Sequence, residues 1–74
     1  MKAFALLNHM IRRSGKNRQE LSASMNRSDS YLRTTVSNKT VPTVDMFSKI
    51  AKVCGYEVHV IGHDEDITVD PKEP

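Results

Sequence analysis

The first apolar positions of the chain recur at the spacing of one helix face. Phe4, Leu7 and Ile11 fall at i, i+3 and i+7, and Ala3, Leu6 and Met10 beside them widen the apolar stripe. This pattern predicts an amphipathic helix over residues 2–13. Gly15 follows as a stop, because glycine readily adopts the left-handed conformation that ends many helices.

A second, shorter helix is predicted by a capping signal. Asn17 stands three residues before Glu20, the spacing at which two side chains can satisfy each other's backbone N–H groups at a helix start. The predicted helix covers about residues 18–25. Asn26 ends it, since Asn tolerates the left-handed conformation better than most residues.

The next stretch, "NRSDSYLRTTVSN" over residues 26–38, is rich in Ser, Thr and Asn and yet has helical anchors. Leu32 and Val36 lie four residues apart, and Ser28 is a residue type that caps helix starts. The pattern predicts a third helix over residues 28–37 that Asn38 ends. Its outward face carries small hydrogen-bonding groups and one cation: Ser30, Arg33, Thr34 and Ser37.

A fourth helix is predicted between Thr43, a capping residue type, and Gly55, a stop. Its apolar residues recur at the spacing of one buried stripe, which consists of Val44, Phe47, Ile50, Ala51 and Cys54.

Beyond Gly55 the apolar period changes from helical spacing to two. Tyr56, Val58 and Val60 alternate with Glu57, His59 and Ile61, which is typical of a strand. A five-residue polar stretch over 62–66 then leads to a second β-favouring run over 67–69. The spacing predicts a C-terminal β-hairpin with a loop that contains Gly62.

The predicted fold class is mainly α. Seventy-four residues suffice for one small domain. Residues 1–55 form the four-helix part, residues 56–70 form a β-strand or β-hairpin that serves for dimerisation or packing, and residues 71–74 form a tail.

The composition points to an intracellular chain without a membrane segment. Cys54 is the only cysteine, so an internal disulfide is excluded and a reducing compartment is favoured. The apolar run over residues 3–7 is too short for a signal peptide or a membrane span. We therefore expect a cytoplasmic protein.

Charge is unevenly distributed along the chain. Residues 1–63 hold ten Lys and Arg against four acids, a net of +6, whereas residues 64–74 hold five acids against one Lys, a net of −4. A basic body suggests a polyanionic partner such as nucleic acid, and an ordinary solvated surface is the alternative reading of the same charges.

Two short helices joined by a tight turn at residues 26–27, between two longer ones, are the arrangement of a helix-turn-helix motif. Over residues 3–55 the chain resembles regulators of the Cro and lambda-repressor type, the XRE-like family. The resemblance rests on Gly15, "NRQELSASM", "RSDSYL", "SNKTVP" and "VDMFSKIAKVCG". Family members typically have Ala at the position of Ser22, Gly at those of Asn26 and Asn38, an apolar residue at that of Thr35, and a fifth helix where this chain has a strand.

The resemblance implies that the third helix reads DNA. The base-contacting positions of the family fall on Asp29, Ser30 and Thr34, with Arg33 close by. Their chemistry agrees, since Arg suits guanine, Asp accepts from cytosine, and Ser and Thr can pair with several base edges. Asp29 keeps a second interpretation, as a residue that only favours the helix start.

Phosphate contacts are expected from the N-terminal ends of the two short helices and from nearby side chains. The expected residues are Asn17, Arg18, Ser28, Ser37, Lys39 and Thr40, with Arg12, Arg13, Lys16 and Arg27 as second choices. For each of these charges, simple solubilisation is the alternative role.

Catalytic and metal chemistry find little support in the sequence. His59, His63, Asp64 and Glu65 are the nearest approach to a metal site, but they lack a second His or Cys pair at a recognised spacing. No turn presents an activated nucleophile, and no glycine-rich phosphate loop is present. We expect neither an enzyme nor a cofactor.

The sequence therefore predicts a sequence-specific DNA-binding transcriptional regulator, a repressor of phage or mobile-element kind. One module binds too little DNA for high specificity, so a homodimer on a pseudo-palindromic operator is expected, with half-sites about 34 Å apart. The expected dimer contact is the first strand region, by edge pairing or by face packing: Tyr56, Val58, Val60 and Ile61. The alternative is an antitoxin or adaptor whose hairpin binds a protein partner.

Overall fold

Four helices are followed by an antiparallel β-hairpin in the computed structural model, which describes residues 1–72. The bounds are α1 Ala3–Arg13, α2 Arg18–Ser24, α3 Tyr31–Ser37, α4 Val44–Val53, β1 Val58–Gly62 and β2 Glu65–Val69. The predicted mainly α fold with a C-terminal hairpin is confirmed.

The helices enclose one small apolar core. Its members come from all four helices and their ends: Leu7, Met10, Ile11, Leu21, Met25, Leu32, Ile50, Ala51 and Cys54. The prediction that Val44 belongs to the buried stripe of α4 was wrong, because 67% of its surface is exposed. Val44 is the first residue of α4 and faces an open groove beside α1 instead of the core.

The predicted helix boundaries at α1 and α2 are confirmed by their backbone geometry. Gly15 has φ 74° and Asn26 has φ 57°, so both adopt the left-handed conformation after a helix. The capping box is complete: the Glu20 N–H donates to Asn17 Oδ1 at 2.8 Å, and the Asn17 N–H donates to Glu20 Oε1 at 3.2 Å. Local sequence therefore fixes where α2 begins and ends.

The third helix begins later than predicted. It starts at Tyr31, and Ser28, expected to cap it, lies outside it. The Ser28 carbonyl accepts the Tyr31 N–H at 3.0 Å, which closes a turn over Asp29 and Ser30 before the helix starts. Ser30 is the residue at the N-cap, and its side chain makes no capping hydrogen bond.

The fourth helix follows its prediction at both ends. The Met46 N–H donates to Thr43 Oγ1 at 3.4 Å at the start, and Gly55 has φ 87° just past the end. Among the described residues, no helix is both long enough and apolar enough to cross a membrane.

The hairpin turn is shorter than predicted. Gly62 pairs with Glu65, so the connection consists of His63 and Asp64 alone, with φ of 47° and 62°. Positive φ at both central residues is the geometry of the two-residue turn whose twist matches that of paired strands. The prediction of a five-residue loop was wrong, because Gly62, Glu65 and Asp66 belong to the strands.

The register divides the hairpin into two chemically different faces. Directly paired residues share a face of an antiparallel ladder. One face carries the pairs Val58 with Val69 and Val60 with Ile67, and the other carries His59 with Thr68 and Ile61 with Asp66. Residues 59–68 are all exposed, so most of the hairpin lies away from the helical core.

Candidate nucleic-acid interface

The unit formed by α2, the turn and α3 is held together from the inside. Leu21 and Leu32 have no exposed surface, and Met25 is 1% exposed, so the inner sides of both short helices meet in the core. Four of the seven α3 residues are polar: Arg33, Thr34, Thr35 and Ser37. Because α3 has weak intrinsic helix propensity, this packing supplies most of its stability.

A buried hydroxyl joins the two helices. Ser22 on α2 is fully buried, and its Oγ donates to the Arg18 carbonyl at 2.8 Å. The same Oγ accepts the N–H of Leu32, in the first turn of α3, at 3.2 Å. Ser22 therefore caps α3 from a neighbouring helix, the task for which Ser28 was expected and which Ser30 does not perform.

A groove between the N-terminal ends of α2 and α3 gathers most of the predicted site. We call it the α2–α3 groove; it is lined by Asn17, Arg18, Gln19, Asp29, Ser30 and Arg33. Three of the four predicted base-contacting residues and two of the predicted phosphate-contacting residues therefore share one surface. Sequence positions about ten residues apart become neighbours here.

Gln19 is a groove residue that sequence reasoning missed. Its Nε2 donates to Asp29 Oδ2 at 3.2 Å. Asp29 precedes the N-cap, and the first turn of α3 contains no acidic residue. The interpretation of Asp29 as a first-turn helix residue was thus wrong, and its carboxylate is held at the groove by a side chain of α2. No spacing rule in the sequence links these two residues.

The other side of α3 forms a second concave surface, which we call the threonine hollow. It is lined by Ser28, Ser30, Tyr31, Thr34, Thr35, Asn38 and Thr40. The fourth predicted base-contacting residue, Thr34, is exposed here, together with the predicted phosphate contacts Ser28 and Thr40. Ser30 lines both surfaces, so α3 lies between two hydrogen-bonding depressions.

Two predicted phosphate contacts lie on neither depression. Ser37 is the exposed last residue of α3, and Lys39 is exposed two residues later. Lys39, rather than Asn38, has the left-handed conformation, with φ 53°. Both residues therefore lie beside the C-terminal end of α3.

Two interactions explain unusual residues around α3. Thr35, at a half-buried position, donates its hydroxyl to the Tyr31 carbonyl at 2.9 Å, so its polar group is satisfied within the helix. The Arg27 guanidinium lies 5.3 Å from the centre of the Tyr31 ring, a cation–π contact. Arg27 is thereby held beside the start of α3.

The four predicted dimer residues do not share one surface. Tyr56 precedes β1 and packs half-buried against the core. Val58 and Val60 lie on one face of the hairpin, and Ile61, 76% exposed, lies on the other. A contact made by one face of the hairpin alone would exclude Ile61.

The polar face of the hairpin carries a histidine between two carboxylates. His59 Nε2 lies 2.8 Å from Glu57 Oε2, and His59 Nδ1 contacts Asp66 Oδ1 across the strands. Hydrogen bonds to Glu57 and then to Asp66 raise the pKa of His59 above its ordinary value. Protonated His59 thus links β1 to β2 electrostatically.

Cys54 is a free thiol and is buried. Burial raises the pKa of the Cys54 thiol, and nearby Lys16 offsets this only in part, so the thiol stays protonated. Within residues 1–72, no group of three or more His, Cys, Asp or Glu side chains is arranged to hold a metal ion.

Comparison with known proteins adds no relative. No family model, no curated protein and no solved structure matches this chain.

Proposed function

We propose that the protein is a sequence-specific transcriptional regulator that binds double-stranded DNA and represses by occupying an operator. The observation that carries the proposal is the α2–α3 groove, in which Asp29, Ser30 and Arg33 converge with Asn17 and Arg18. The side chains at the start of a recognition helix are the ones that meet base edges when the helix enters a major groove.

The chemistry of the exposed α3 residues suits base reading. Arg33 can donate two hydrogen bonds to guanine, and Thr34 can donate or accept at several bases. Asp29 can accept from the amino group of cytosine, and its bond to Gln19 fixes the carboxylate without neutralising it. A groove that pairs cations with one oriented carboxylate favours specific over indiscriminate binding.

The charges nearby suit phosphate contact. Arg18 is the first residue of α2, and Lys39 lies two residues beyond the end of α3. The proposed set of contacts to the DNA phosphates is completed by Asn17, Ser28, Ser37 and Thr40. Such contacts fix the register of a protein on the duplex, and they make affinity depend steeply on salt.

A homodimer on a pseudo-palindromic operator completes the proposal. One seven-residue recognition helix reads few base pairs, so two copies about 34 Å apart along the duplex would supply the specificity. The hairpin region is the proposed dimer contact. The expected setting is the cytoplasm of a cell that carries a phage or mobile element.

The test is fluorescence anisotropy on a duplex selected from a random pool, titrated with NaCl. We expect affinity to fall steeply with salt. Arg33→Ala and Thr34→Ala should erase the preference for the selected over a scrambled duplex. Lys52→Ala, an exposed α4 change that removes the same charge as Arg33→Ala, should retain it. Retained preference in both α3 variants would refute the recognition helix.

An antitoxin or adaptor role is the second candidate, and the exposed hairpin favours it. Residues 59–68 are all exposed and include Asp64, Glu65 and Asp66, so they offer an accessible acidic surface to a protein partner. Under this reading the full chain would show no sequence preference on DNA, and Arg33→Ala would change nothing in the anisotropy assay.

A further inference from the structure

An apolar groove lies between α1, the α3–α4 connection and α4. It is lined by Met1, Ala3, Leu6, Val41, Pro42, Val44, Phe47 and Val58, and we call it the apolar groove. Met1 is 83% exposed, Val44 is 67% exposed and Val41 is 46% exposed. Large apolar side chains are thus open to solvent in one concave place.

The groove continues onto the hairpin. Val58 lines the groove and begins the hairpin face that also carries Val60, Ile67 and Val69. Val60 is 58% and Ile67 52% exposed. The groove and this face together are the apolar surface. Its five most exposed large side chains leave on the order of 500 Å² open, near the upper end for apolar patches on monomers.

We propose that a second copy of this chain covers the apolar surface, by a two-fold contact in which the hairpin face of each copy packs on the apolar groove of the other. Such a contact is self-complementary, because each copy supplies both a projecting apolar face and an apolar groove. Half-buried residues at its border, such as Leu6 and Phe47, bring the area toward the roughly 800 Å² per partner of a standard interface.

Charge complementarity favours a second copy over an unrelated protein. Residues 57–70 hold five acids and no Lys or Arg, whereas residues 1–56 hold ten Lys and Arg against three acids. A two-fold exchange sets the acidic hairpin of each copy against the basic helical body of the other. A partner of a single charge sign would attract one of these regions and repel the other.

The apolar surface shares no residue with the α2–α3 groove or the threonine hollow. The proposed contact therefore uses none of the residues that line those two surfaces of α3. The inference deepens the proposed function and rests on it for its biological purpose, but the contact itself is measured without DNA. The proposed contact includes Val44 and Ile67, and it excludes Ile61, which lies on the opposite hairpin face.

The test is sedimentation equilibrium of the full chain without DNA. Wild type should dimerise, and Val44→Lys and Val60→Lys should each weaken the dimer at least about 100-fold, because each buries a charge in the contact. Ile61→Lys is the matched control: Ile61 is more exposed than either, lies on the other face, and should dimerise like wild type. All three positions are more than half exposed, so the variants should fold, which circular dichroism checks.

A second measurement needs no variant. In a mixture of ¹³C-labelled and unlabelled wild-type chains, filtered nuclear Overhauser spectra should show contacts between the methyl groups of Val44 in one copy and Val60 or Ile67 in the other. A monomeric wild type, a dimer without these contacts, or dissociation by Ile61→Lys alone would overturn the inference. A dimer that ignores DNA would leave it standing and refute the proposed function instead.

Discussion

Replacing Ser22 by Ala should destabilise the protein, although Ala is the typical residue at this position in the family that the chain resembles. The Ser22 hydroxyl is the partner of the Leu32 N–H, at 3.2 Å and away from solvent. Without it, that N–H in the first turn of α3 loses its partner, because the N-cap side chain of Ser30 makes no bond.

The magnitude follows from two opposing effects. A buried N–H left unpaired costs about 1–3 kcal/mol. Alanine recovers up to about 0.5 kcal/mol through its better helix propensity in α2. The net loss should be about 0.5–2.5 kcal/mol, a substantial part of the roughly 4–11 kcal/mol expected for a domain of this size. At about 4–8 °C per kcal/mol, Tm should fall by roughly 2–20 °C.

Urea unfolding followed by circular dichroism at 222 nm measures the effect. Ser24→Ala is the matched control, because Ser24 is on the same helix, is exposed, and donates only to the Glu20 carbonyl at 3.0 Å. That variant should be neutral or more stable by up to about 0.5 kcal/mol. Equal unfolding free energies for the two variants would refute the role of Ser22 as the cap of α3.

Three further outcomes are expected from local geometry. Asn17→Ala should lower the unfolding free energy by about 1 kcal/mol in the same urea assay, because it removes one half of the α2 capping box; an unchanged midpoint would contradict this. Lys39→Gly should raise stability by about 0.5–1 kcal/mol, since φ 53° suits glycine, while weakening DNA binding at every sequence alike. Binding loss confined to one sequence would argue against a phosphate contact. Because the pKa of His59 is raised in the folded state, its bonds to Glu57 and Asp66 should stabilise the hairpin fully below pH 6.5 and progressively less as pH rises through that pKa. An NMR titration of His59 should give a midpoint above 6.5. His59→Gln should remove this pH dependence of hairpin stability. A midpoint at or below 6.5 would contradict the bridge to Glu57 and Asp66.

Much of the fold could be predicted from the sequence because its determinants are local. The apolar spacing of Leu7 and Ile11 gives α1, the Asn17–Glu20 pair gives the start of α2, and Thr43 and Gly55 bracket α4. Each of these signals acts within one or two helical turns. Their agreement with the helix boundaries reflects backbone hydrogen bonding, which needs no distant partner.

The errors arise where two local solutions compete. Ser28 has capping chemistry, but a turn that uses its carbonyl delays α3 to Tyr31. His63 and Asp64 accept positive φ without any glycine, so the hairpin closes in two residues although a Gly-containing loop was expected. Residue type shows what each position tolerates, and the surrounding structure selects among the options.

The candidate site also contains some residues that could be predicted from the sequence and others that depend on how the helices pack. Asp29, Ser30 and Arg33 could be grouped by sequence because they belong to one short segment, and Asn17 and Arg18 because they begin the preceding helix. The Gln19 bond to Asp29 depends on how α2 and α3 pack, and so does the capping of Leu32 by Ser22. Neither pair has a spacing that distinguishes it before the fold is known.

The central claim is that α3 and the start of α2 meet DNA, and amide chemical shifts test it most directly. A ¹H–¹⁵N spectrum of the full chain, titrated with the selected duplex, should change most over residues 17–19 and 28–40, with saturating shifts at Asp29, Ser30, Arg33 and Thr34. Shifts that concentrate on the hairpin over residues 58–69, or that fail to saturate at any position, would contradict the account.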